Sequence, residues 1–269
     1  MKISLVVLLT LLFLGSKGQG ASEKYLSDIH LGNTQMIRFK GATATCYLVA
    51  DSNVLYFITV LHLFSQKIVR NNGKTSTTKF SQYDSLLCKN GDDISVDLFS
   101  AKTWKPLRGK IYFFDKPGER IDLCVIKVKE RTNFSSLYLL EPGVFLGQQC
   151  FFVGYPLGLK SLTDSTFKFD LPIVKNAIYS GSFTNEHSKE RVILLDGNNT
   201  YGLSGSPIFA FNPMAKGWRM IGMVTSYYKQ TDHVFNSETG VTEAREENSG
   251  IVSGIHVVQI LELIHRTQQ

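Results

Sequence analysis

No apolar run in the sequence reaches the ~20 residues that a membrane-spanning helix requires, and nothing in it repeats or falls into low complexity. The first absence leaves no stable membrane anchor. The second excludes solenoids and disordered tails, and leaves a globular chain with an ordinary core. Cys46, Cys88, Cys124 and Cys150 form no CxxC pair and the 6 histidines are scattered, so a zinc site has no signature. An even cysteine count permits disulfides in an exported chain. Cys46, Cys124 and Cys150, however, lie within apolar runs (CYLVA, DLCVIKV, CFFVGY), where buried free thiols are the equal alternative. The formal charge of +6 is spread along the chain without a basic stripe, which argues against nucleic acid as a partner.

Lys2, then Ile3–Leu14, then Gly18-Gln19-Gly20 follow the order of a cleaved secretory leader: a positive start, a short apolar run, small residues at the cut. No cysteine stands at the cut to carry a lipid. Export to a periplasm or beyond the cell is expected, with residues 1–20 removed; losing Lys2 and Lys17 lowers the charge from +6 to +4. The remaining ~250 residues suit one large domain or two lobes.

Short β-like runs fill that length. Thr43–Ala50, Val54–Val60, Ile94–Phe99, Lys110–Phe114 and Leu123–Val128 lie in the first half. Cys150–Tyr155, Ile173–Ser180, Arg191–Leu195, Ser206–Phe211, Arg219–Tyr228 and Gly250–Val258 lie in the second. Turn residues punctuate them, the pattern of an all-β sandwich or barrels. Leu61–Arg70 reads as a short helix, and Val257, Ile260, Leu261 and Ile264 predict a terminal amphipathic helix over Val257–Arg266. The polar stretch Lys129–Ser136 divides the strand sets, giving lobes at 21–135 and 136–269. Gln66–Asp93 and Lys229–Ser249 read as long exposed loops.

Three residues carry the chemistry together, though none does alone. Ser204 lies in Gly202-Leu203-Ser204-Gly205-Ser206-Pro207, a glycine-flanked turn able to expose a hydroxyl beside backbone N–H groups. By itself this is a surface turn. His62 ends the apolar run Phe57–Leu61 and by itself reads as a core histidine. Asp122 opens the apolar run Leu123–Val128, where a carboxylate is costly to bury without a partner. A serine hydroxyl is a weak nucleophile and needs a base. His62 supplies one, Asp122 fixes its tautomer, and the N–H groups of Gly202 and Ser204 supply an oxyanion hole. The chain order His, Asp, Ser, with strand after the serine, is not that of an α/β-hydrolase.

These segments resemble the chymotrypsin-fold serine proteases, in particular the exported bacterial trypsin-like group that includes the HtrA-like proteases. Ala44–Val49 is similar to that family's GTGFLV strand, Ile58–His62 to its (I/L)TAAH motif, and Asp122–Val128 to DLAVLKV. Val153–Leu159 resembles IGxPxGL, Gly202–Pro207 resembles GNSGGP, and Gly222–Thr225 resembles the strand lining the substrate channel. The resemblance implies two six-stranded antiparallel β-barrels with a C-terminal helix and a cleft between the barrels. It also implies endopeptidase action on proteins or peptides through an acyl-enzyme on Ser204, with neither metal nor organic cofactor. Asn198, six residues before Ser204, would floor the primary specificity pocket, and Thr225 would bind substrate. A neutral floor argues against Arg/Lys preference, and Asp196 reads as a loop carboxylate at a strand end.

Departures from the family pattern are Val60 and Leu61 for alanines, and Ala44, Cys46 and Ser206 for glycines. Leu203 stands where zymogen-activated enzymes carry aspartate, so activation by insertion of a new N-terminus is not expected. Nor is a PDZ module, since the sequence ends soon after the second expected barrel. The alternative is a catalytically silent relative that binds protein through the cleft. No residue pattern speaks to oligomeric state.

Overall fold

The computed structural model describes residues 26–51, 54–65, 86–100, 103–116, 120–128, 144–161, 170–236 and 240–269. The leader at 1–20, the loop core at 66–85 and the lobe boundary at 135/136 lie outside them. Twelve strands form two closed six-stranded antiparallel barrels. The first comprises β1 (Thr34–Phe39), β2 (Ala42–Asp51), β3 (Val54–Thr59), β4 (Asp93–Ser100), β5 (Thr103–Phe113) and β6 (Cys124–Val128). The second comprises β7 (Gln149–Gly154), β8 (Ile173–Thr184), β9 (Arg191–Asp196), β10 (Pro207–Asn212), β11 (Gly217–Asn236) and β12 (Val241–His256). The ring orders β1-β2-β3-β6-β5-β4 and β10-β11-β12-β9-β8-β7 are the same topology used twice.

Why β2 reads as an unbroken apolar run is now plain. Ala44 to Val49 are all buried, one face inside the first barrel and the other against the second. The core around Tyr47, Ile58 and Ile126 therefore runs on into Phe209, Met220 and Met223, with Tyr47 and Phe209 in edge contact at 5.6 Å between ring centres. A separate core fills the second barrel, and Leu203 belongs to it. Removing water from a side chain of that size is worth about 2 kcal/mol, which accounts for leucine in place of a polar residue there.

Eleven of the strands overlap expected runs, though β5, β11 and β12 extend well beyond theirs. The exception is β1, whose sequence TQMIRF alternates too weakly to stand out; it is a strand because Thr34–Phe39 pairs with β2 and Met36–Arg38 with β4, closing the barrel. The expected helix at Leu61–Arg70 is a 3-10 turn over Leu61–Phe64, and 66–70 lie outside the described residues. The expected loop at Lys229–Ser249 is corrected: β11 and β12 continue past the barrel as a two-stranded ribbon in register from Lys229↔Asn248 to Asn236↔Val241. Polar composition suggested a loop, but a ribbon wet on both faces needs no apolar alternation.

A short helix α1 (Asp28–Gly32) precedes β1, and α2 (Val257–Arg266) closes the chain. His256 caps α2, its Nδ1 accepting the Val258 N–H at 3.3 Å. Ile260, Leu263 and Ile264 enter the core between the barrels, and Lys127 Nζ donates to the Thr267 carbonyl at 2.8 Å, tying the helix to the first barrel. All four cysteines are free thiols, with Cys46, Cys124 and Cys150 buried.

Candidate active site

His62 sits in the 3-10 turn directly after β3. Its neighbours Val60, Leu61, Leu63 and Phe64 are buried, so the turn is pinned by apolar side chains on both sides of the histidine. Larger residues than the family's alanines are accommodated by being core. Asp122, just before β6, is 2% exposed and grips the histidine twice. Its Oδ1 accepts the His62 backbone N–H and its Oδ2 meets His62 Nδ1, both at 2.8 Å. A carboxylate accepting at Nδ1 holds the proton on that nitrogen and leaves proton exchange to Nε2. Burial without those two bonds would cost several kcal/mol, so the pair is self-consistent only as a unit.

Ser204 lies in the turn between β9 and β10. The turn is closed by the Ser206 N–H donating to the Leu203 carbonyl at 3.0 Å and the Gly205 N–H to the Val224 carbonyl at 2.8 Å. Gly202 and Gly205 have φ of +91° and +90°, the left-handed region that disfavours side chains. A Cβ on Gly205 would stand 1.9 Å from the Thr45 carbonyl oxygen, and one on Gly202 2.4 Å from that of Tyr155. Among the described residues neither the Gly202 nor the Ser204 N–H has a hydrogen-bond partner. The Ser204 hydroxyl donates to the Thr225 carbonyl at 3.3 Å.

Thr45 joins the two barrels here, a role that its place in an apolar run marks only faintly. Thr45 Oγ1 donates to the Gly202 carbonyl at 2.8 Å and accepts the Tyr155 N–H at 3.2 Å, while its own N–H donates to the Ser204 carbonyl at 2.9 Å. Its carbonyl accepts from Thr59 Oγ1 at 2.8 Å. The serine turn is therefore fastened to the strand that leads to His62. The only available signal was a threonine in each of two otherwise apolar strands. Ser206, where the family has glycine, is buried and fits because its partner position is Gly154, whose absent Cβ would lie 2.1 Å from Ser206 Oγ.

The specificity residues are placed less simply. Thr225 is buried on β11, its Oγ1 donating to the Ser253 carbonyl at 3.3 Å. Asn198 is exposed, its Oδ1 accepting from Asn248 Nδ2 at 3.2 Å, and Asp196 ends β9 on the surface. The buried asparagine is the next one, Asn199, whose Nδ2 donates to the Ser226 carbonyl at 3.2 Å and whose Oδ1 has no partner among the described residues. A groove of about 1150 Å³ walled by Leu26, Leu31, Phe145, Phe151 and Trp218 contains none of these residues. Among the described residues no group of His, Cys, Asp and Glu is arranged to hold a metal ion.

Two barrels of this topology, meeting where a buried carboxylate grips a histidine and a tight glycine turn bears a serine, define a trypsin-like architecture. The chain belongs to the trypsin-like peptidase domain family, whose model matches residues 44–223. No curated protein matches the sequence. Among solved structures it is similar to the HtrA-type protease AlgW with a tripeptide, at 16% identity and a TM-score of 0.53, over 87% of this chain and 60% of that one. An alanine variant of AlgW, also with a tripeptide, gives 16% identity, a TM-score of 0.54 and the same coverage. The inactive form of the Rv3671c protease of M. tuberculosis H37Rv covers 94% of both chains at 11% identity and a TM-score of 0.48. The chain thus spans about 60% of the length of the AlgW chains, and at these identities the likeness is one of fold.

Proposed function

We propose that the chain is an exported serine endopeptidase with His62, Asp122 and Ser204 as its catalytic residues. The observation that carries this reading is the double grip of Asp122 on His62 at 2.8 Å, on the barrel to which Thr45 fastens the Ser204 turn. For reaction, the Ser204 hydroxyl leaves the Thr225 carbonyl and donates to His62 Nε2. His62 then takes the hydroxyl proton as Oγ bonds to the peptide carbonyl carbon. The carbonyl oxygen becomes an oxyanion held by the Gly202 and Ser204 N–H groups, each such donor worth about 3 kcal/mol in the transition state. Collapse breaks the C–N bond, the proton on Nε2 passes to the leaving amine, and an acyl-enzyme remains. Water, deprotonated by His62, hydrolyses it. Asp122, held against Nδ1, steadies the imidazolium.

Substrates are proteins or peptides, as the tripeptide held by AlgW suggests. Thr225 contacts the residue before the scissile bond, with Asn198 at the exposed end of its pocket and Asn199 in the buried wall. With no carboxylate among them, uncharged side chains are favoured there over Arg or Lys. The lobes divide at 135/136, and export removes 1–20 to a periplasm or the medium. No helix among the described residues is long and apolar enough to cross a membrane. No observation favours the silent-relative reading.

A fluorophosphonate probe tests the proposal. Labelling of the folded protein that disappears in Ser204→Ala is the expected result. An unlabelled wild-type protein would count against catalysis, and labelling retained in Ser204→Ala would identify another nucleophile.

A further inference from the structure

The Tyr155–Leu159 turn that follows β7 lies against the serine turn, and one of its bonds aims a peptide group. The Leu157 N–H donates to the Tyr201 carbonyl at 2.6 Å. That carbonyl shares its peptide with the Gly202 N–H, and the peptide is trans, so the two groups point in opposite directions. Fixing the Tyr201 carbonyl toward Leu157 therefore leaves the Gly202 N–H free on the other side, as an oxyanion donor must be. Leu157 holds φ at +53° in this turn, with its side chain exposed. A leucine stays in that left-handed region only where its surroundings force it. The approach is close, since a Cβ on Gly202 would stand 2.4 Å from the Tyr155 carbonyl oxygen and 2.9 Å from the Leu157 nitrogen.

The contacts that hold this turn reach back to the first barrel. Tyr155 is buried, its N–H bonded to Thr45 Oγ1 at 3.2 Å. Its hydroxyl lies 2.8 Å from the Asp170 carbonyl oxygen and 3.1 Å from that of Thr34, with one proton to share between them. Asp170 is buried too, and its Oδ1 meets Lys160 Nζ at 3.1 Å. Lys160 Nζ in turn sits 4.4 Å above the centre of the Phe99 ring on β4, a position that favours a cation. The Ser161 N–H donates to the Leu171 carbonyl at 2.9 Å, pairing the backbone beside the two charges. One ammonium is thus shared between a first-barrel ring and the buried acid behind Tyr155. A buried carboxylate and its cation are costly to desolvate, so packing alone does not account for them.

We propose that Lys160, Asp170 and Tyr155 form a positioning clamp, running from Phe99 to the Tyr155–Leu159 turn, that sets the orientation of the Gly202 N–H. The clamp acts through Leu157 and the Tyr201–Gly202 peptide. It rests on the peptidase reading for its effect on rate, but not for its effect on that peptide. Variants separate charge from bulk: Tyr155→Phe removes only the hydroxyl, Lys160→Met removes the ammonium but keeps the stem, and Lys160→Arg restores a cation. At a temperature where each is folded by its own melting curve, Tyr155→Phe and Lys160→Met should lower kcat for a chromogenic peptide about ten-fold, with KM unchanged. That is a part of the roughly 10²–10³ that a whole oxyanion donor contributes. A peptide boronic acid, whose tetrahedral adduct on Ser204 places an oxygen in the oxyanion position, should weaken by the same factor. Lys160→Arg should match wild type in both. In protein carrying isotope-labelled glycine, the Gly202 amide resonance should shift or broaden in Tyr155→Phe and Lys160→Met and stay in place in Lys160→Arg.

Unchanged kcat and boronate affinity in Tyr155→Phe and Lys160→Met overturn the proposal, as does a loss confined to KM. A loss that Lys160→Arg fails to restore also overturns it, by making packing rather than charge the cause. A wild-type protein that hydrolyses no peptide and takes up no fluorophosphonate sinks the peptidase reading instead. The clamp then stands if the Gly202 resonance responds to the variants as described, and falls if it does not.

Discussion

Replacing Asp122 by Asn separates the two things the carboxylate does. The amide keeps the shape and an oxygen that still accepts the His62 backbone N–H, now held at 2.8 Å. Toward Nδ1 it can present NH₂ where a carboxylate oxygen stood at 2.8 Å. Two donors cannot face each other, so the imidazole shifts its proton to Nε2 and accepts through Nδ1. Exchanging two charge-assisted bonds for neutral ones costs the fold about 1–3 kcal/mol, leaving a small domain folded. The catalytic loss is far larger, because a protonated Nε2 cannot take the Ser204 proton. A fall in kcat of about 10⁴, or ~5.5 kcal/mol, is expected. Asp122→Ala removes both acceptors, strands the His62 N–H and should cost about 2–5 kcal/mol of stability. Urea unfolding gives the first quantity and steady-state hydrolysis of a chromogenic peptide the second. An Asp122→Asn protein within about ten-fold of wild-type kcat would refute the reasoning, as would an activity loss matched by unfolding at the assay temperature.

Glu190 offers a pH test: its burial, and secondarily the charge of Asp122, push its carboxyl up from 4.5 to about 7. Because the folded value is the higher, this group's stabilisation is present below about 4.5 and lost as pH rises through about 7. Wild type should therefore lose up to about 3 kcal/mol relative to Glu190→Gln between pH 4.5 and 8 in urea titrations; a gap independent of pH would contradict this. Gly205→Ala drives a Cβ to 1.9 Å from the Thr45 carbonyl and should cost about 3 kcal/mol or more, measured as a lowered Tm. Thr45→Val deletes the hydroxyl that binds Gly202 and Tyr155; about 1–3 kcal/mol of stability and a fall in kcat exceeding any rise in KM are expected. A thiol reagent should count all four cysteines after denaturation without reductant, and react in the native protein chiefly at half-buried Cys88, slowed because burial raises that thiol to about 11.

The strand runs were legible because barrel interiors and the seam between barrels demand continuous apolar segments, as in Ala44–Val49 and Leu123–Val128. The Val257–Arg266 helix was legible for the same reason at helical spacing, and its bounds agree with the structure. Elements held by pairing alone were not. β1 is a strand because β2 and β4 flank it, and the ribbon because its two strands satisfy each other's backbone, neither of which leaves an apolar pattern.

At the site, residue types and chain order marked His62, Asp122 and Ser204 as partners, since a buried-edge carboxylate, a strand-end histidine and a glycine-framed serine each need the others. Distances belong to the tertiary structure. Only folding brings Asp122 Oδ1 and Oδ2 onto two atoms of one residue, sets Thr45 against the Ser204 turn, and leaves Asn198 exposed while burying Asn199 beside Ser226. Sequence spacing determines which groups exist and what each requires. Which groups meet is decided where strands far apart in the chain close into barrels, because register moves a side chain from one face to the other with every residue.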